Sequence, residues 1–67
     1  MRVSQLIHAM DKDDTISIDD FNKKIDEQEI YHGCVRGIKR DYSINRMHVM
    51  SIAAVGDVIC VLATGGK

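Results

Sequence analysis

Sixty-seven residues make one small domain, and a formal net charge of −1 gives no general reason to expect a nucleic-acid partner. Hydrophobic residues at 45% and charged residues at 28%, with no Pro and five scattered Gly, describe a folded domain without a linker or low-complexity tract. Between Met1 and Asp14 there is no apolar core for a secretory signal, and the longest apolar run is too short to span a membrane, so a cytoplasmic protein with no membrane partner is expected.

Val3, Leu6, Ile7 and Met10 recur at helical spacing, which predicts a short helix over Arg2 to Met10. Asp11-Lys12-Asp13-Asp14 ends it, because short Asp side chains bond to nearby backbone and favour turns. Thr15 to Asp19 alternates and is rich in β-branched residues, so it reads as a strand with Ile16 and Ile18 inward. Asp20 to Gln28 is a polar loop or single helical turn, with Phe21 and Ile25 spaced to anchor it. Glu29 to Ile38 reads as a second strand, in which Gly33 and Gly37 mark a bulge or the close approach of another group. Lys39 to Arg46 is a basic connection, and Ser43 is placed to cap one helical turn holding Ile44 and Met47.

Met47 to Thr64 is the one long apolar run, broken at Gly56-Asp57. Gly as first central residue suits a two-residue type II′ turn. Folding there pairs Val55 with Val58, Ala54 with Ile59, Ala53 with Cys60, Ile52 with Val61 and Met50 with Ala63. One face then carries Met50, Ile52, Ala54, Ile59, Val61 and Ala63; the other carries Val49, Ser51, Ala53, Val55, Val58, Cys60 and Leu62. Neither is polar, so both should be covered. A chain this small has few elements to do so, and a homodimer through Val49, Val55, Val58 and Leu62 is expected. The competing reading is a monomer with the hairpin as its buried central pair. Gly65-Gly66-Lys67 reads as a frayed tail to a single domain spanning 1–67. The sum is an α+β domain: an antiparallel sheet of about four strands in two hairpins, with an N-terminal helix and a short second helix.

Charge is unevenly spread. From Asp11 to Glu29 eight acids face three bases, net −5; from Ile30 onward five bases face two acids, net +3. Carboxylates at Asp13, Asp14, Asp19, Asp20, Asp26 and Glu27 can imitate a phosphate backbone and occupy the basic channel of a nucleic-acid enzyme. The alternative is a nucleic-acid-binding accessory protein whose Arg36, Lys39, Arg40 and Arg46 touch phosphates.

Other chemistry fits poorly. Registering Ile16 on the central apolar position of an EF-hand puts Asp11, Asp13 and Asp20 at ligand positions. But Ala9 then takes the first ligand position, Asp14 replaces the turn Gly, and Asp replaces the bidentate Glu. His8, His32 and His48 lack zinc-site spacing, although His32 and Cys34 could share a strand face and meet Cys60 and His48 if the strands align. Cys34 and Cys60 are expected to be reduced thiols, able to bridge only on neighbouring strands. No acid, base or nucleophile converges on a site, so no metal, no cofactor and no enzymatic activity are expected.

The layout resembles a type of small accessory protein encoded by phages and prophages of Gram-positive bacteria. The residues that carry the likeness are Val3-Ser4-Gln5-Leu6, Asp11 to Ile18, Tyr31-His32-Gly33-Cys34-Val35, Val49-Met50-Ser51-Ile52 and Asp57 to Leu62. The long loop from Asp20 to Gln28 departs from the compact hairpin of that type. The resemblance implies a non-enzymatic protein that acts inside the host cell by binding and blocking a host protein, defence nucleases included. It carries no catalytic residues across.

Overall fold

The computed structural model describes residues 1–65; Gly66 and Lys67 of the expected tail lie outside them. A helix, α1 (Val3–Ala9), is followed by strands β1 (Thr15–Asp20), β2 (Glu29–Cys34), β3 (His48–Val55) and β4 (Val58–Thr64). Single 3-10 turns lie at Ile25–Glu27, Val35–Gly37 and Ser43–Arg46. The fold is α+β, with an N-terminal helix on one four-stranded sheet of order β2-β1-β4-β3.

The helix starts where its first backbone N–H finds a partner: the Gln5 side-chain oxygen accepts from Arg2 N at 2.8 Å. Val3 is fully buried, and Leu6, Ile7 and Met10 pack on the core beside it, as their spacing required. The Asp-rich turn that follows bonds to itself. Asp11 Oδ1 accepts from Asp13 N at 2.9 Å, and Asp11 O accepts from Asp14 N at 3.1 Å. In β1, Ile16 and Ile18 are both fully buried, with half-exposed Thr15, Ser17 and Asp19 on the opposite face.

Two hairpins are present, but the sheet is mixed rather than wholly antiparallel, because β1 and β4 join them in parallel register. The centre of the sheet is therefore β1 beside β4, and β3 is an edge strand. That corrects the expectation of a hairpin covered on both faces. The hairpin turn itself is as expected: Gly56 has φ +60° and Asp57 is not left-handed, the pattern of type II′. The register holds from Val55↔Val58 to Ser51↔Leu62 and then slips. Val49, not Met50, faces Ala63, and Met50 is the extra residue of a bulge. The slip turns Val49 to the other side of the sheet, where it packs on the core.

The expected strand over Glu29 to Ile38 stops at Cys34. The chain then turns so that Val35 N bonds to Asp14 O at 2.9 Å and Arg36 N to Lys12 O at 3.1 Å. This drives Val35 and Ile38 into the core, where they are 5% and 9% exposed. The close approach foreseen at the glycines is made by Tyr31. Its hydroxyl donates to Cys34 O at 2.6 Å, and its ring lies over both Gly33 and Gly37. A Cβ on Gly37 would overlap the Tyr31 hydroxyl. The second short helix is the 3-10 turn at Ser43–Arg46. Its cap is Tyr42, with no side-chain capping bond, so the capping role expected of Ser43 is not filled. Half-buried Ile44 and buried Met47 are its anchors. No helix among the described residues is long and apolar enough to cross a membrane.

Candidate interaction surfaces

The acidic residues do not form one surface. Asp13 and Asp14 lie in the turn before β1; Asp19 and Asp20 are its last two residues, and Asp26 and Glu27 follow in the loop beyond. The length of β1 separates Asp14 from Asp19 by about 17 Å. Asp13 pairs with the Arg36 guanidinium, and both side chains are mostly exposed. The net negative end is thus the loop side, with Asp19, Asp20, Asp26 and Glu27.

That loop, residues 20–28, is fixed by its backbone. Asp20 N donates to Gln28 O at 2.7 Å, Asp20 Oδ1 accepts from Asn22 N at 2.9 Å, and Phe21 N donates to Ala63 O at 2.8 Å. Asn22 Nδ2 reaches Thr64 Oγ1 at 2.7 Å, and Gln28 Nε2 reaches Lys23 O at 3.2 Å. Phe21 and Ile25 do not anchor the loop inward as their spacing suggested. They stand out at 53% and 89% exposure, because hydrogen bonds rather than apolar contacts fix the loop.

The sheet face away from the core is half polar and half apolar. Its β2 side carries His32, Cys34, Thr15, Ser17 and Asp19; its β3 side carries Ala53, Val55, Val58, Cys60 and Leu62, with Ser51 as its one polar residue. Val55 is 64% exposed, and Val58 and Leu62 are half-buried. Three of the four residues expected at an oligomer interface, Val55, Val58 and Leu62, share this face. Val49 does not, for the bulge reason given above. The edge beside them is also open. The ladder alternation from the hydrogen-bonded Val55–Val58 pair turns the N–H and C=O of Ile52 and Ala54 outward. Near His48 the edge is taken by the N-terminus, with Val49 N donating to Met1 O at 2.8 Å and Val3 N to Met47 O at 2.9 Å. From Val49 to Val55 the edge carries no charge and no Pro.

The basic residues are also divided. Arg36 and Arg40 line a cleft of about 440 Å³ between α1 and the chain from Val35 to Asn45, together with Ser4, His8 and Lys12. Ile7, Val35 and Ile38 form its apolar floor. Lys39 and Arg46 are not part of its lining. Asn45 fixes the wall by donating to Lys39 O at 2.7 Å and Arg40 O at 3.1 Å. Lys12 and His8 join the arginines only through the fold. Their one signal in the sequence is that both fall near the end of the helix and its turn.

Cys34 and Cys60 are free, on the same face but with β1 between them. Two strand spacings put their Cα atoms roughly 10 Å apart or more, beyond disulfide reach. His32 shares that face, with Nδ1 3.1 Å from Glu29 Oε1, while His48 sits at the far end of β3 opposite Thr64. Among the described residues no three His, Cys, Asp or Glu side chains converge on a point that would hold a metal ion. Compared with models of known protein families, with curated proteins and with solved structures, the chain matches none.

Proposed function

We propose that this chain is a small non-enzymatic binding protein that docks on a host protein through its acidic loop end, and does so as a homodimer joined along β3. The observation that carries the docking reading is the loop of residues 20–28. Two large apolar side chains, Phe21 and Ile25, are held in water by a loop that its own hydrogen bonds fix, with Asp20, Asp26 and Glu27 beside them and Lys23 and Lys24 between them. Solvent-exposed apolar anchors with a local excess of carboxylates suit a partner with an apolar pocket and a mainly basic rim. The phage-type resemblance supplies the class of target, a host protein, defence nucleases included.

A photo-crosslinking residue placed at position 25 tests this in extract of a Gram-positive host. One host protein should be captured there, and capture should fall at least about tenfold on reversing Asp26 and Glu27 to Lys together. A crosslink pattern unchanged by that reversal would remove the reading.

The dimer rests on the β3 edge. An uncharged, Pro-free edge with outward N–H and C=O groups is a template for another strand. A second copy can satisfy it with its own β3 about a two-fold axis, because that strand carries no charge to repel itself. Light scattering should give twice 7.5 kDa across a concentration series. Ala54→Pro should return a monomer that keeps its fold, because the Ala54 N–H points away from β4 and its loss breaks no ladder bond. A dimer that survives Ala54→Pro would place the contact elsewhere.

A further inference from the structure

We propose that the cleft between α1 and residues 35–45 binds a phosphomonoester: a dianionic phosphate on a small apolar body. Its cations are Lys12, from the turn after the helix, and Arg36 and Arg40, from the connection between β2 and β3, with Ser4 also in the lining. No carboxylate is among the lining residues. Like charges around one concavity focus a positive field into it, and a bound anion relieves their mutual repulsion. The floor is apolar, with Val35 and Ile38 buried, while Lys12, Arg36 and Arg40 stand exposed around it, able to make charge-assisted hydrogen bonds to an anion. The volume, about 440 Å³, suits a small molecule.

The charge count favours a dianion over a carboxylate. The shape favours a small ligand over a nucleic-acid strand: Lys39 and Arg46 do not extend the row of cations, and no Phe, Tyr or Trp lines the cleft as a platform for successive bases. One feature of the rim acts against binding. Asp13 holds the Arg36 guanidinium by an exposed ion pair, so it competes with the ligand for that donor. This site does not depend on the docking reading, since it shares no residue with the 20–28 loop or with β3.

The test is amide NMR of the full chain titrated with phenyl phosphate, inorganic phosphate and an oligothymidylate lacking terminal phosphates. Phenyl phosphate should shift the amides of Ser4, His8, Lys12, Arg36 and Arg40 and bind more tightly than inorganic phosphate. Lys12→Gln and Arg40→Gln should each weaken it about tenfold, the scale of one charge-assisted hydrogen bond. Asp13→Asn should tighten it about two- to fivefold by releasing Arg36 from a weak surface pair. Dispersed spectra of the variants report that the fold is kept. Shifts spread equally over Lys23, Lys24 and Arg46, or variants with unchanged affinity, would overturn the site. Equal binding of the oligothymidylate at the same amides would overturn the monoester and assign the groove to nucleic acid.

Discussion

Ile18→Ala should cost about 2–5 kcal/mol, while the same change at Ile25 should cost no more than about 0.5 kcal/mol. Ile18 is fully buried at the centre of the sheet, between Tyr31 on β2 and Val61 on β4. Removing its side-chain carbons leaves a void that two bonded strands cannot close. Ile25 is 89% exposed and leaves none. A domain of this length has a total stability of only about 3–10 kcal/mol, so Ile18→Ala removes a large share of it. Thermal unfolding reads the difference, with an expected fall of roughly 10–30 °C for Ile18→Ala. Equal effects at the two positions would mean that β1 is not the central strand.

Gly37→Ala should destabilise by about 1–3 kcal/mol, and most of that cost should vanish when Tyr31 is Phe. The backbone at Gly37 is not left-handed, so the penalty is steric and not conformational. The added methyl would overlap the Tyr31 hydroxyl, which is held in place by its 2.6 Å bond to Cys34 O. Tyr31→Phe alone loses that one hydrogen bond, about 0.5–1.5 kcal/mol. In Tyr31→Phe/Gly37→Ala the nearest remaining ring atom, 3.4 Å from the methyl, needs only a small shift. A double-mutant cycle by urea unfolding should therefore show coupling near the full cost of Gly37→Ala. Additive costs would mean that the overlap is relieved some other way.

Much of this was legible in the residues. Thr15 to Asp19 alternates strictly, and Ile16 and Ile18 are both fully buried. Gly56-Asp57 announced its turn. The helix stripe from Val3 to Met10 found the core. The failures in the hairpin share a physical cause: stretches with few polar residues carry little phase. In Met47 to Ile52 only His48 and Ser51 are polar, and two marks do not separate a residue facing inward from one in a bulge, so the slip at Met50 and the reversal of Val49 were invisible. For the same reason β4, apolar on both faces, gave no sign that its second neighbour is β1 in parallel. At the 20–28 loop the spacing of Phe21 and Ile25 misled, because backbone bonds to Gln28 and Ala63 set that conformation. The cleft was half legible: Arg36 and Arg40 stood out as charge, but Lys12 and His8 reach them only once Val35 and Arg36 bond to the 12–14 turn.

The parallel pairing of β1 with β4 also governs how the chain is made. Position 15 meets position 58, so the middle of the sheet stays open while nearly everything before Val58 is being synthesised. Until then β1 has only β2 beside it, and a lone two-stranded ribbon is marginal in water. Ile16 and Ile18 wait exposed on the nascent chain. Folding is then a late event set by one distant closure, slow for so short a polypeptide. A chain cut short before Val58 has nothing to pair with the inner edge of β1, and an unpaired strand edge is a template for aggregation.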